Sequence, residues 1–179
     1  MAIGSTMHTF DVQLADMDRG VYDDFALRVA RHPSETDAYM LTRVLAHGLE
    51  YVEGIAFSEG ISKTDEPAVL VRDLTGAITA WIEVGAPDAE RLHYGSRLAE
   101  RCVVYTHRDP DKVMLPWAGK RIHRAEHLRV FSFDPGFIEQ AVSHLERRNT
   151  LTLTVTEQVL YLDLNGTSLT SSIHEHSIA

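Results

Sequence analysis

The sequence predicts an α/β fold, with one compact domain over residues 1–179, a mixed β-sheet, flanking helices and a C-terminal β-meander. Length and composition support the single domain, because 179 residues with 44% hydrophobic content supply one sizeable core and too little chain for two. The order of the apolar patterns supports the α/β class. Strand-like runs alternate with helix-like segments in the middle of the chain, and three strand-like runs follow one another at its end.

Two elements are predicted near the start of the chain. Residues 7–14 alternate apolar and polar side chains, which is typical of a strand with one buried face. Residues 19–31 carry Val21, Phe25 and Val29 at four-residue spacing, and this spacing predicts a short helix. The His-Pro pair that follows is expected to end it, because the residue before a proline disfavours the helical conformation.

A second helix is predicted to begin at Ser34, with Asp37 three residues later as its capping-box partner. It is expected to end near Gly54. In its first turn Glu35 lies at the edge of the apolar stripe, where the helix dipole favours a carboxylate. The residues of that stripe are Leu41, Val44, Leu45, Leu49 and Val52.

The remaining elements follow from the same patterns. They are strands over 68–73 and 77–84, a helix from Pro87-Asp88 to about 101, strands over 102–106 and 128–133, a helix from Asp134-Pro135 to about 149, and strands over 151–156, 159–164 and 167–173. A helix between strands 77–84 and 102–106 forms a crossover, so these two strands are expected to be parallel. Asn165-Gly166 predicts a type I′ turn before the last strand.

Net charge and cysteine content restrict the class of protein. The net charge of −9 argues against unspecific binding of nucleic acid by the whole surface. The single cysteine, Cys102, excludes an internal disulfide, and the first ten residues lack the features of a secretory signal, so we expect a cytoplasmic protein. No apolar run approaches the length of a membrane span. We expect a monomer without membrane contact.

Positive charge is concentrated in one part of the sequence. Residues 91–148 hold 11 Lys and Arg against 7 acids, whereas the rest of the chain holds 6 against 19. A cluster of basic side chains is what phosphate backbones attract, so an anionic partner such as nucleic acid is expected to use this region. The alternative is an uneven surface charge without a partner.

The predicted hairpin over residues 68–84 carries acids at two positions. Glu83 lies among apolar neighbours in its second strand, where a carboxylate is costly unless a cation or a metal neutralises it. Asp65 and Glu66 precede the first strand, and antiparallel pairing brings that end of the strand towards Glu83. Together with Glu35 of the preceding helix, these acids form a candidate site for Mg²⁺ or Mn²⁺ beside a phosphodiester.

Four short segments of the chain are informative together. They are Asp16-x-Asp18-Arg19-Gly20, His32-Pro33-Ser34-Glu35-Thr36, Asp65-Glu66-Pro67 and Trp81-Ile82-Glu83-Val84-Gly85-x-Pro87-Asp88-x-x-Arg91. In this order and at these spacings they closely resemble the bacterial YaeQ family. The resemblance implies a compact α/β fold around a variant of the PD-(D/E)XK nuclease core, without an established activity. It also implies Glu35, Asp65 or Glu66, and Glu83 as the acidic set, and glycine as the usual residue at position 85.

Metal nucleases with such a hairpin place a lysine two residues after the acid of the second strand, where this chain has Gly85. Arg91, in the first turn of the next helix, is the leading replacement because arginine recognises phosphate well. Arg43, on the helix of Glu35, is the second candidate. The alternative role of Arg91 is an ion pair with Glu83 that has no chemical function.

Two functions are consistent with these residues. The first is a Mg²⁺- or Mn²⁺-dependent, nuclease-like hydrolase. The second is a catalytically degenerate nuclease-fold protein that binds nucleic acid or another protein. The catalytic candidates are Glu35, Glu66, Glu83 and Arg91, and the candidate metal ligands are Glu35, Asp65, Glu66 and Glu83.

Three other patterns compete with this interpretation. The segment 123–127 matches the H-x-x-E-H motif of zinc peptidases, but it is too short for the helix that this motif requires. Cys102 opens an apolar strand and is expected to be a buried residue instead of a nucleophile. Trp81 is expected in the core, and stacking of Trp81 and Trp117 on bases is the alternative.

Overall fold

The computed structural model of the chain describes residues 4–58 and 65–178, and all statements on structure refer to them. The strands are β1 (Thr6–Asp16), β2 (Val21–Arg31), β3 (Ile55–Phe57), β4 (Val69–Arg72), β5 (Ile78–Val84), β6 (Arg101–Thr106), β7 (Arg129–Phe133), β8 (Arg148–Thr156), β9 (Val159–Leu164) and β10 (Thr167–His176). The helices are α1 (Asp37–Leu49), α2 (Ala89–Leu98), α3 (Pro110–Met114) and α4 (Phe137–Val142). Strand pairing is both parallel and antiparallel, so the predicted α/β class with a mixed sheet is confirmed.

The chain divides into two compact units. The first comprises Met1–Leu41 and Phe133–His174, and the second comprises Thr42–Ser132 and Glu175–Ala179. Strand order is β2-β1-β8-β9-β10 in the first unit and β7-β6-β5-β4-β3 in the second. The predicted acidic hairpin and most of the basic stretch therefore belong to the second unit.

The first unit is built on β1, which pairs antiparallel with β2 and parallel with β8. Phe10, Val12 and Leu14 alternate along β1 and are buried, as the period-two pattern predicts. The strands β8, β9 and β10 form an antiparallel meander, which confirms the prediction for the end of the chain. Asn165 and Gly166 have φ angles of 53° and 90°, so both adopt the positive φ that a type I′ turn requires.

The predicted helix over 19–31 is wrong, because this segment forms strand β2. Its pairing with β1 runs without interruption from Asp16↔Val21 to Thr6↔Arg31. A spacing of four residues fits one face of a helix and, as a multiple of two, also one face of a strand. Leu27, which has the same parity as Phe25 and Val29, completes the period-two pattern that selects the strand.

Helix α1 exists where it was predicted, but its bounds differ. The Oγ1 atom of Thr36 accepts the N–H of Tyr39 at 3.0 Å, so Thr36 caps the helix in place of the predicted Ser34. Glu35 consequently lies in a bend before the helix and not in its first turn. The helix also ends at Leu49, five residues before the predicted end, and Val52 is half-exposed.

The helix predicted from Asp134 to about 149 is shortened to α4. Gly136 precedes it with a φ of 83°, and Asp134 is not its cap. The Asp134 carboxylate instead accepts the N–H of Ser172 at 3.2 Å and lies 2.7 Å from Nε2 of His174. The Asp134 side chain therefore links the loop before α4 to β10.

The second unit places the hairpin beside a crossover. β3, β4 and β5 are antiparallel neighbours, and β5, β6 and β7 are parallel neighbours. Helix α2 connects β5 with β6, so the predicted parallel crossover is confirmed. Strand β3 and helix α3 were not predicted, because three and five residues are too short to show a period.

The core of the second unit forms around Trp81, which is fully buried. Gly95 of α2 lies against the indole, and a Cβ atom at this position would lie 2.5 Å from the ring. This close approach packs α2 against β5 and fixes the direction of the outer face of the helix. Among the described residues, no helix is both long and apolar enough to cross a membrane.

Candidate functional site

The buried acid of the hairpin is bound by one arginine. Glu83 on β5 is 4% exposed, and Arg91 of α2 donates from Nε to its Oε2 at 2.8 Å and from Nη2 to its Oε1 at 2.9 Å. Such a forked ion pair is among the stronger hydrogen-bonded contacts in proteins. Asp88 caps α2 by accepting the N–H of Arg91 at 2.8 Å, which holds the start of the helix beside Glu83. The ion pair expected as the alternative role of Arg91 is therefore present.

The same guanidinium also holds the segment before β4. Nη2 of Arg91 donates to the carbonyl oxygen of Glu66 at 2.8 Å. The Glu66 carboxylate is paired elsewhere, with Nη2 of Arg72 at 3.3 Å. Asp65 is exposed and lines the cleft described below. The structure thus brings Glu66 to Arg91 through its main chain and not through its carboxylate.

Gly85 occupies the position at which metal nucleases with this hairpin carry a lysine. The backbone conformation explains why this residue is glycine. Its φ angle is 89°, in the left-handed region that favours glycine, and its N–H donates to the carbonyl of Tyr105 at 2.9 Å. A lysine in this conformation would be strained by roughly 1–2 kcal/mol. The turn from β5 towards α2 therefore requires glycine at this position.

Two other predicted candidates are buried. Glu35 belongs to the first unit, is 7% exposed, and accepts a hydrogen bond at its main-chain oxygen from Nη1 of Arg31 at 2.7 Å. Arg43 is buried on α1, and its guanidinium carbon lies 5.3 Å from the centre of the Phe57 ring, a cation–π contact. Both side chains are therefore largely shielded from solvent.

The donor set does not form a ready metal site. A divalent ion at Glu83 would have to compete with the positive charge of Arg91, because both carboxylate oxygens already accept hydrogen bonds from it. Over residues 4–58 and 65–178, no three His, Cys, Asp or Glu side chains are grouped as metal ligands. The arrangement shown here therefore fits an arginine-neutralised acid better than a Mg²⁺ or Mn²⁺ centre.

An open cleft of about 900 Å³ lies along α2, next to the Glu83–Arg91 pair. Tyr94 and Leu98 are 45% and 50% exposed, one turn apart on the same helix. Arg97 is also exposed and has no ion-pair partner in the part of the chain that the structure describes. We refer to this cleft as the α2 cleft. Its described lining consists of Asp65, Asp88, Glu90, Arg91, His93, Tyr94, Arg97 and Leu98.

The loop after α3 lies against α2 at two points. Nε1 of the buried Trp117 donates to the carbonyl of Pro87 at 2.8 Å, which fixes the loop at the start of the helix. The N–H of His123 donates to Nδ1 of His93 at 3.0 Å. This segment is therefore joined to the start of α2 and to His93 of the cleft, and it carries three exposed cations. They are Lys120, Arg121 and Arg124.

Burial shifts the pKa of two groups in the second unit. Burial raises the pKa of the Cys102 thiol to about 12, and the charge of Glu83 acts in the same direction. Burial lowers the pKa of His47 to about 4, and its ring centre lies 4.9 Å from that of Phe57. At neutral pH the thiol is therefore protonated, and the 7% exposure of Cys102 confirms the prediction that it is a buried residue.

The competing patterns are resolved by the geometry. Only Ala125–His127 within the H-x-x-E-H segment is helical, as a single 3₁₀ turn, and Arg124 has a φ of 50°. The two histidines therefore do not share a helix face, as the short segment predicts. Stacking of Trp81 or Trp117 on bases is wrong, because their side chains are 0% and 3% exposed.

Comparison with known proteins identifies the family. The sequence model of the family described as "YaeQ protein" matches residues 1–173. This chain belongs to the YaeQ family. A YaeQ protein of Salmonella typhi is 31% identical over 164 residues, and that of Escherichia coli K12 is 30% identical over 165 residues. Each alignment covers 90% of both chains, and both relatives are named as uncharacterised proteins.

Solved YaeQ structures share the fold. The crystal structure of the YaeQ protein from Pseudomonas syringae matches with a TM-score of 0.86 at 28% identity, over 98% of this chain and 97% of that one. The YaeQ protein from Xanthomonas axonopodis pv. citri matches with a TM-score of 0.87 at 28% identity, over 98% and 99%. The family resemblance predicted from the four motifs is therefore confirmed.

Proposed function

We propose that this YaeQ family protein is a nucleic-acid-binding module on a nuclease-like core, with an acidic site that stabilises the fold and does not cleave phosphodiesters. The observation that carries the proposal is the forked contact of Arg91 with both oxygens of Glu83. Both oxygens of this buried acid already accept hydrogen bonds from Arg91, so a metal ion would have to compete with the arginine for them. Loss of Arg91 would destabilise the fold strongly, because the buried Glu83 carboxylate would remain without its cation.

The basic surface next to the α2 cleft supports the binding part of the proposal. Arg97 is on α2, and Arg121 and Arg124 are on the loop that His123 fastens to the helix. Exposed cations on neighbouring elements attract phosphate backbones even in a protein with a net charge of −9, because binding depends on the local potential.

The topology of the second unit supports a nuclease-like core of the PD-(D/E)XK type. An antiparallel pair, β4 and β5, is followed by α2 and a parallel strand, β6. Glu83 lies near the end of β5, and the Asp65-Glu66-Pro67 segment precedes β4. These are the positions at which the resemblance expects acids, and Gly85 occupies the position of the usual lysine.

Fluorescence anisotropy with labelled single- and double-stranded DNA and RNA tests the proposal. We expect binding that weakens steeply with salt, as counterion release requires, and that is reduced about tenfold or more in an Arg97→Gln/Arg121→Gln/Arg124→Gln variant. Arg28→Gln is the matched control, because Arg28 is an exposed arginine on β2 of the first unit. Absence of binding to all four nucleic acids, or equal loss in the control, would reject the proposal.

A Mg²⁺- or Mn²⁺-dependent phosphodiesterase is the second candidate. It is favoured by the proximity of Glu66 and Glu83, which share contacts with Arg91. In this candidate Asp65, Glu66 and Glu83 of the second unit supply metal ligands after Arg91 turns towards phosphate. Calorimetric titration of Mn²⁺ into the wild type, Glu83→Ala and the exposed-acid control Glu90→Ala distinguishes it. Metal binding lost only in Glu83→Ala, together with cleavage of a substrate, would establish this candidate in place of the first.

A further inference from the structure

The α2 cleft has features that basic patches for duplex phosphates do not need. It combines an exposed aromatic ring, Tyr94, an exposed aliphatic side chain, Leu98, and an exposed cation, Arg97. We infer that this cleft binds an unpaired nucleotide of single-stranded nucleic acid, with the base on Tyr94 and the phosphate at Arg97. The inference rests on the proposed function and specifies its substrate class.

The ring of Tyr94 is held in place although it is exposed. Its centre lies 5.5 Å from that of Trp81, with an angle of 72° between the ring planes, so the two rings meet edge to face. Trp81 is itself immobilised in the core, and the next residue, Gly95, lies directly against the indole. An aromatic ring that is already fixed loses little conformational entropy when a base stacks on it.

Charge is arranged along the cleft in one direction. Asp88 and Glu90 lie at the N-terminal end of α2, whereas Arg97 lies in its last turn. A phosphate group is attracted to the Arg97 end and repelled from the acidic end. The base is neutral, so unlike the phosphate it is not repelled from the acidic end.

His93 offers the nucleotide a hydrogen-bond donor within the α2 cleft. Its Nδ1 accepts the N–H of His123, so a neutral imidazole carries its hydrogen on Nε2. This ring also lines the cleft. A donor one helical turn from Arg97 suits a phosphate oxygen or a ribose hydroxyl. The bond to His123 also connects the cleft with Arg121 and Arg124, which continue the cationic track for the neighbouring phosphates.

The size of the cleft agrees with one nucleotide. Its volume of about 900 Å³ is within the usual 300–1,000 Å³ of small-ligand sites. In a duplex the base faces are stacked on each other and cannot reach Tyr94 without unstacking. Stacking on an aromatic side chain is tolerant of sequence, so we expect selectivity for single strands and little selectivity for bases.

Anisotropy titrations with labelled 12-nucleotide single strands and the matching duplex test the inference. We expect the single strand to bind about tenfold more tightly than the duplex, and Tyr94→Ala to remove most of this preference. Tyr94→Phe keeps the ring and is expected to bind as the wild type does. Tyr94→Leu keeps the apolar contact with Trp81 without a ring, so it decides the outcome if Tyr94→Ala does not fold.

Tyr161→Ala is the matched control, because Tyr161 on β9 is 46% exposed, nearly as much as Tyr94. Single-strand affinity that is lowered by the arginine variants but unchanged in Tyr94→Ala and Tyr94→Leu would overturn the inference and leave the proposed function intact. Failure to bind any strand would overturn both. Loss of affinity in Tyr94→Leu with recovery in Tyr94→Phe supports base stacking, because both variants retain the contact with Trp81.

Discussion

Two regions of the molecule carry family motifs rich in acids, and they use these acids differently. In the turn between β1 and β2, Asp16 accepts from the N–H and from Nε of Arg19 at 3.1 and 2.7 Å. Asp18 accepts the N–H groups of Glu157 and Gln158, at 2.7 and 2.9 Å, in the turn between β8 and β9. Asp16 therefore binds within its own turn, to one backbone and one side-chain donor of Arg19, whereas Asp18 joins two turns of the first unit through backbone N–H groups.

The hairpin of the second unit also contains an acid paired with an arginine, but this pair lies beside an open surface. Glu83 is also paired with an arginine, but this arginine belongs to a helix whose outer face lines a cleft of about 900 Å³. Tyr94 and Arg97 are exposed on that face. The comparison shows that an acid–arginine motif does not mark a binding site by itself. The exposed groups next to the motif distinguish a binding site from a contact that only stabilises the fold.

The largest effect is expected where the pair itself is broken. Arg91→Ala leaves the buried Glu83 carboxylate without its cation, and we expect the free energy of unfolding to fall by about 3–5 kcal/mol. The measurement is chemical denaturation followed by circular dichroism. Arg91→Met/Glu83→Gln, which removes both charges, should recover at least half of the loss. A single variant as stable as the wild type would show that the pair does not stabilise the second unit.

Burial of His47 should make the fold sensitive to acid. The pKa of His47 is about 4 in the fold and about 6.5 in an unfolded chain. Between these values the unfolded chain binds more protons, so stability falls as the pH falls, by about 3 kcal/mol over the whole interval. Unfolding curves from pH 7 to pH 4 check this. The difference in stability between wild type and His47→Gln should shrink on acidification, and a constant difference would contradict the burial of a neutral imidazole.

Removing the contact of Asp18 with the turn between β8 and β9 should leave nucleic-acid binding intact. Asp18→Ala removes two hydrogen bonds from N–H groups to a carboxylate, and we expect a loss of about 2 kcal/mol in stability. Asp11→Ala, an exposed acid on β1, is the control and should be nearly neutral. Affinity for single-stranded nucleic acid should be unchanged in both folded variants. Reduced affinity in Asp18→Ala would place part of the binding surface on the first unit.

The smallest effect is expected from restoring the missing lysine. Gly85→Lys forces a side chain into a backbone with a φ of 89°, and we expect a loss of about 1–2 kcal/mol in the free energy of unfolding. No hydrolysis should appear with Mn²⁺, because both Glu83 oxygens remain bound by Arg91. Gly76→Lys at the hairpin turn, where φ is 88°, is the matched control for the strain. Cleavage gained only in Gly85→Lys would show that a single lysine was lacking.

Much of the second unit could be predicted from the sequence. The apolar runs of β5 and β6 and the Pro87-Asp88 start of α2 are strong local signals, and the crossover follows from them. The ion pair of Glu83 with Arg91 was foreseen as one of two roles, because a buried acid requires a nearby cation. The sequence could not choose between the roles, since the choice depends on side-chain geometry.

Other features were missed for identifiable reasons. Strand β2 was predicted as a helix because a four-residue spacing fits both periods, and Leu27 was the residue that could have decided between them. The α2 cleft was not predicted from the sequence. Tyr94 and Leu98, four residues apart on the other face, form an apolar stripe that was visible in the sequence. Its exposure, however, depends on what the rest of the chain leaves uncovered.

One titration distinguishes a metal-independent binding surface from a metal-dependent hydrolase. A labelled single strand is mixed with the wild-type protein in EDTA and, separately, in Mn²⁺, and both anisotropy and strand length are followed. We expect the same affinity in the two conditions and an intact strand in both, because binding uses cations and Tyr94 while Glu83 stays with Arg91. Binding that requires Mn²⁺ and is lost in Glu83→Ala, or cleavage of the strand, would contradict this expectation.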